Sequence, residues 1–147
     1  MATHNAPALA HPLPAGATGK VNAITRSIVG NGKGGTVVAG DVLRMMKMPA
    51  FIRVHLLLLW TSATTASLTA QAGYADAEQG GTYSDDDAFI VPSTALATGG
   101  VRVMSNSLIS APELVKPTYL DIVTADATIL ATTTINATLF YEFMGTP

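Results

Sequence analysis

The chain contains no cysteine, which removes disulfides, thiolate metal sites and thiol nucleophiles together and leaves the redox compartment open. Ionised side chains are scarce as well: eight basic and ten acidic residues make up 12% of the 147, about half of the roughly 25% usual for a soluble domain. The surface of one domain of this size is therefore built largely from Thr, Ser, Ala and small apolar groups, which suits contact with other protein. Long apolar runs are missing too. The longest, Leu56 to Trp60, falls far short of the ~20 residues of a membrane-spanning helix, and Arg53 and His55 interrupt its approach. No basic segment followed by an apolar stretch opens the chain, where Met1 to Gly19 is rich in Ala, Pro, His and Gly, so secretion by a standard signal is not expected. Asn136-Ala137-Thr138 matches the glycosylation sequon but in that setting reads as strand sequence.

The few charges are sorted along the chain. Residues 1–53 carry six basic side chains (Lys20, Arg26, Lys33, Arg44, Lys47, Arg53) against the single acid Asp41, whereas residues 54–147 carry two, Arg102 and Lys116, against nine acids. Segments of opposite sign complement each other within one fold or between neighbouring copies, and the internal arrangement is favoured because N-terminal strands usually pair with later ones. A nucleic-acid partner is not expected, because it would call for a dense basic stripe with interleaved aromatics, and here the basic residues are spread out with only Arg44 and Lys47 as a near-pair.

Periodicity points to strands. Residues 1–20, punctuated by Pro7, Pro12 and Pro14, read as an extended N-terminal arm, and residues 21–147 as a single domain. Val21 to Val29 alternates, and Gly30 to Gly35 follows as a flexible connection. Thr36 to Met48 and Phe51 to Trp60 are apolar segments separated by a turn at Met48-Pro49-Ala50; helix competes with strand over Val42 to Met48, where Leu43, Met46 and Lys47 favour it. Strict alternation places Ile52, Val54, Leu56, Leu58 and Trp60 on one face. Leu68, Ala70, Ala72 and Tyr74 repeat every second residue, an acidic loop spans Asp76 to Asp87, and Phe89 to Val91 reads as a short strand stopped by Pro92. A turn at Ala97-Thr98-Gly99-Gly100 precedes a strand from Val101 to Met104, Asn106 to Pro117 reads as a long connection, and Tyr119 to Thr124 as a strand. From Ile129 to Met144 the odd positions are mostly apolar, a period of two that argues for strand, with a bend expected near Thr132 to Asn136. About eight strands with turns between them indicate an all-β antiparallel sandwich, jelly-roll-like.

Reactive chemistry is hard to assemble from these residues. A Ser–His–acid arrangement would rely on His55, yet no Gly-x-Ser-x-Gly elbow occurs, and a strand histidine between Val54 and Leu56 is the plainer reading. Gly30 to Thr36 with Lys33 has the glycines of a phosphate-cradling loop, but Gly34 follows the lysine where Ser or Thr is required. Asp85, Asp86 and Asp87, with Asp76 and Glu78, could offer oxygens to a cation, although the spacing is not that of an EF-hand and a solvated acidic loop is expected. Trp60, Tyr74 and Tyr83 are the residues for a sugar-binding shelf. No catalytic, cofactor-binding or metal residue is assigned, and no enzyme is expected.

The order of several short motifs carries a resemblance. Gly40-Asp41-Val42-Leu43, Met48-Pro49-Ala50 and Ile52-Arg53-Val54-His55-Leu56 are followed by Leu68-Thr69-Ala70-Gln71-Ala72-Gly73-Tyr74, then Asp85-Asp86-Asp87-Ala88-Phe89, and finally Tyr141-Glu142-Phe143. Over residues 36–144 this succession resembles the capsid decoration, or cement, proteins of tailed-phage heads. Gln71, where that family has a small or acidic residue, and the Ala/Pro-rich arm depart from the pattern. The resemblance implies a β-sandwich, commonly a homotrimer, bound to the major capsid protein on the outer surface of the virion, and it transfers no site residue. A trimeric β-domain of a tail or fibre and a carbohydrate-binding surface module are the alternatives. The arm is expected to lie along a neighbouring subunit.

Overall fold

The computed structural model describes residues 1–6, 20–62, 68–79, 81–82, 84–95, 100–103 and 113–145. Among them are ten strands and no helix: β1 (Thr3–Asn5), β2 (Val21–Val29), β3 (Val42–Met48), β4 (Ile52–Thr61), β5 (Thr69–Asp76), β6 (Asp85–Ala95), β7 (Gly100–Val103), β8 (Glu113–Leu114), β9 (Thr118–Ala125) and β10 (Thr134–Phe143). They form a β-sandwich that is antiparallel except for the β1–β3 pair. One sheet, sheet A, runs β1-β3-β9-β5-β6; the other, sheet B, runs β2-β10-β4-β7, with β8 also on β4.

Alternation builds the interior. On β10, Ile135, Ala137, Leu139 and Tyr141 are buried, and the residues between them are only partly covered. β-Branched and aromatic side chains of this kind favour a pleated, half-buried surface over a helix. Leu43, Met46 and Met48 of β3, Leu120 and Ile122 of β9, and Phe89 and Ile90 of β6 meet them in one continuous core.

Two β-bulges break the simple period. In β4, Phe140 pairs with Leu56 but Tyr141 with Val54, so His55 is an extra residue opposite β10. The buried set is accordingly Ile52 and Val54, then Leu57, Leu59 and Thr61. Leu56, Leu58 and Trp60 therefore do not share a face with Ile52 and Val54 as strict alternation predicts, because one inserted residue reverses the phase of everything beyond it. In β3, Arg44 pairs with Asp121 and Met46 with Leu120, leaving Met45 as the inserted residue. The resulting run of buried Val42, Leu43, Met45, Met46 and Met48 looks helical in sequence and is strand in the fold.

Other expectations shift at the sheet edges. The strand expected to stop at Pro92 continues to Ala95, because β6 is an edge strand and its register with β5 slips between Ile90 and Thr94, where proline removes no ladder bond. The acidic segment is shorter than expected, since β5 reaches Asp76 and β6 begins at Asp85. Upstream of β3, Val37 makes only an isolated bridge to Ile129, and the bend in the last segment falls before Thr134. Of the expected long connection, Glu113–Leu114 is β8, while residues 104–112, the turn residues 96–99 and Tyr83 lie outside the described residues.

Residues 1–6 belong to the sandwich. β1 runs parallel to β3, with Thr3 opposite Val42 and Asn5 opposite Arg44, and Ala6 is buried in the core. Residues 7–19, the remainder of the expected arm, lie outside the described residues.

Candidate interaction surfaces

No cavity is enclosed among the described residues, and their charged groups lie on faces and edges of the sandwich. The two outer faces differ. On sheet A, Arg44 makes a two-pronged ion pair with Asp121, Nε to Oδ1 and Nη2 to Oδ2, each at 2.9 Å. The guanidinium also lies 4.1 Å from the Tyr119 ring centroid, with Lys47 Nζ at 6.0 Å. Donation to the Asp121 carboxylate raises the Arg44 pKa above its ordinary value. Cross-strand register creates this group: Arg44 opposes Asp121, and Lys47 opposes Tyr119.

Sheet B turns a neutral face outward. Three successive cross-strand rows read Ser27–Asn136–Trp60, Thr25–Thr138–Leu58 and Ala23–Phe140–Leu56, without a charge among them. Thr25 and Thr138 join hydroxyls at 2.8 Å. Val21, Val29 and Trp60 are exposed at 61%, 47% and 40%, so large apolar groups sit in solvent around a Thr/Ser/Ala centre. Charge returns only at one end. There Arg53 holds Glu113 Oε1 through Nε at 3.1 Å and Nη2 at 2.7 Å, and it lies 3.7 Å from Glu142. Arg44–Asp121, Arg53–Glu113 and Arg53–Glu142 each join a base from the N-terminal part to an acid from the C-terminal part within one chain, the internal complementarity favoured from the sequence.

The residues singled out in the sequence separate. His55, at the bulge of β4, hydrogen-bonds Glu142 through Nε2 at 3.2 Å and joins the Arg53 cluster, an ion-pair network rather than a nucleophile–base pair. In the glycine-rich connection, Asn31 Oδ1 accepts from the Lys33 and Gly35 backbone N–H groups, both at 2.9 Å. These are the donors a phosphate would use, and the loop's own side chain occupies them. Asp85 and Asp87 stand at the start of β6, Asp76 ends β5, and among the described residues no three His, Asp or Glu groups are placed to hold a metal ion together. Trp60 lies on sheet B and Tyr74 on sheet A, where it packs against Phe89 with centroids 6.1 Å apart. They cannot form one shelf.

Sequence reasoning missed the device at Asp41. Gly40, with φ +87°, turns the chain so that the Asp41 carboxylate faces β1. Oδ1 accepts from the Ala2 N–H at 2.6 Å, and Oδ2 is 3.0 Å from His4 Nε2. The Val42 N–H donates to Ala2 O and the Ala6 N–H to Arg44 O. The Ala2 donor first and the His4 contact second hold the Asp41 carboxyl below its ordinary range. The Gly-Asp-Val-Leu motif thus combines a left-handed turn, an anchor for β1 and two core residues. A glycine followed by an acid just before an apolar run was the available signal.

Known structures share the architecture. A chain from the capsid of Ralstonia phage GP4 superimposes with a TM-score of 0.74 at 20% identity, over 99% of each chain. One from the capsid asymmetric unit of cyanophage Pam1 gives 0.63 at 17% identity, over 86% of each chain. At these identities the likeness is one of fold. No protein-family model matches the chain, and no curated protein does.

Proposed function

We propose that this chain is a structural protein of a tailed-phage virion that binds the outside of the assembled icosahedral head and stabilises it as a cement protein. The observation that carries the reading is the three uncharged central rows on the outer face of β2, β10 and β4, flanked by exposed Val21, Val29 and Trp60. A face of this composition loses little on desolvation and gains from apolar burial when a flat protein surface covers it. The fold likeness to chains of two phage capsids, one of them matched over 99% of both chains, supports the same role. The motif order that resembles decoration proteins agrees with it.

The mechanism is mass action on an assembled surface. A protein that binds the closed lattice better than free subunits stabilises the lattice by RT ln(1 + [L]/Kd) per site, and many copies of a modest interface add up. Head stabilisation then needs no reactive group, only a rigid sandwich that presents the right face.

Co-sedimentation tests the proposal. Purified protein is incubated with empty heads of the phage that encodes it, assembled without the protein, and the heads are then heated. Wild-type protein is expected to pellet with the heads and raise their rupture temperature. Thr138→Glu places a charge at the centre of the neutral face, where Thr138 lies between Thr25 and Leu58, and is expected to weaken binding at least tenfold while the sandwich stays folded. Heads that pellet without the wild-type protein would overturn the proposal, as would binding indifferent to Thr138→Glu.

A further inference from the structure

Each sheet has two edges, and three of the four are blunted. β1 is three residues long, β7 is four, and β6 carries Pro92 with two breaks in its register. Short strands, proline and bulges are the usual protections against strand pairing between molecules. β2 has none of these three, and its single charge is Arg26, in the row that also holds buried Ile28. The strand is nine residues long, contains no proline and pairs with β10 in nine consecutive steps without a bulge. Among the described residues nothing pairs with its other side, so every second residue turns an N–H and a C=O outward without a partner strand.

We infer that β2 is a self-association edge, pairing antiparallel with β2 of a second copy about a two-fold axis at Thr25. The sequence of the strand carries the choice of occupant. In Val-Asn-Ala-Ile-Thr-Arg-Ser-Ile-Val, a two-fold at Thr25 sets Val21 against Val29 of the other copy, Ala23 against Ser27, and Thr25 against itself. Exposed apolar ends therefore meet, small residues meet, and hydroxyl meets hydroxyl on the outer face, as favourable cross-strand pairs require. The one charge, Arg26, falls opposite Ile24 and only diagonal to its counterpart. An isologous contact of this kind closes on itself and does not propagate. It also joins two neutral faces into one continuous sheet. The inference stands on β2 alone and does not depend on the proposed role at a phage head.

The absence of cysteine makes the test direct. In sedimentation of the full chain without heads, a dimer is expected, and Ala23→Lys combined with Ser27→Lys, which opposes like charges across the two-fold, is expected to weaken it at least tenfold. Ala23→Lys with Ser27→Glu opposes unlike charges at the same positions and is expected to restore it, which separates the contact from any effect on folding. Thr25→Cys is expected to form an intermolecular disulfide under mild oxidation, and Ala23→Cys alone is not. A monomer at 100 µM, a trimer, or equal cross-linking of the two cysteine variants would overturn the inference, whatever the head-binding experiment shows.

Discussion

Deleting His55 should be nearly harmless, and deleting Thr138 should not. His55 is the unpaired residue of the β4 bulge: Leu56 and Val54 already pair with consecutive residues of β10, Phe140 and Tyr141. Its removal leaves Ile52, Val54, Leu57 and Leu59 facing the core in a regular ladder. What is lost is the contact to Glu142 at 3.2 Å and some local twist, about 1 kcal/mol. Thr138 also points outward, but β10 pairs with β2 without interruption. Its removal reverses one half of the strand. The less costly half exposes Ile135 and Ala137, both fully buried, for about 2–4 kcal/mol of lost burial, and drives the Asn136 amide inward for about 1–3 kcal/mol more. Against a total stability of about 5–15 kcal/mol, that deletion melts or cripples the domain. Thermal unfolding followed by circular dichroism separates the outcomes: a fall in Tm of about 2–4 °C for the His55 deletion, and no cooperative transition or a loss several times larger for Thr138. Equal losses would mean that the bulge is not the phase-setting element.

The other predictions probe single contacts. Arg44→Ala leaves the Asp121 carboxylate, only 8% exposed, without its two-pronged partner; we expect a loss of about 2 kcal/mol, the buried-pair figure reduced because the guanidinium is itself partly solvated. A double-mutant cycle with Asp121→Ala in urea should return a coupling of about 1–2 kcal/mol, and a coupling under about 0.5 kcal/mol would refute the assignment. Because the Asp41 carboxyl is held below its ordinary range, its contribution is complete above about pH 4 and is lost as pH falls through the lowered folded-state value. The protection of the Val42 and Ala6 amides, taken relative to the intrinsic exchange rate at each pH, should therefore fall on acidification in the wild type, and Asp41→Asn should flatten that dependence. Gly30→Ala should destabilise by about 3 kcal/mol or more, because a Cβ there would run into the Gly35 carbonyl and lie 2.8 Å from Ala131 O at a φ of +51°. Urea unfolding of that variant is the check.

The sequence carries the strands more faithfully than their phase. Alternation alone bounds β2 at Val21 and Val29, and the odd positions of the last segment face the core, because an uninterrupted strand shows its period openly. At His55 and Met45 an inserted residue looks like any other in sequence, so the face assignment beyond it inverts without warning. Pro92 hides the length of β6 for a related reason: it forbids a central strand, and whether a strand is central depends on partners distant in the chain. β1 has no periodicity to read, since its three polar residues pair with Val42, Leu43 and Arg44, and Asp41 anchors Ala2 and His4 from 39 and 37 positions away. The neutral face was foreshadowed by the scarcity of charge, but only register gathers Ser27, Thr138 and Leu58 into one patch.

The order of strands has a consequence for biosynthesis. β9 lies between β3 and β5, and β10 lies between β2 and β4, so each sheet has an inner strand that is made after both of its neighbours. Until Thr134 to Phe143 has emerged, β2 and β4 have no common neighbour, and the leucine run of β4 stays exposed. Folding then waits on contacts remote in the chain, the slow regime for β topologies. A nascent chain stalled before β10 is the species on which chaperones should act.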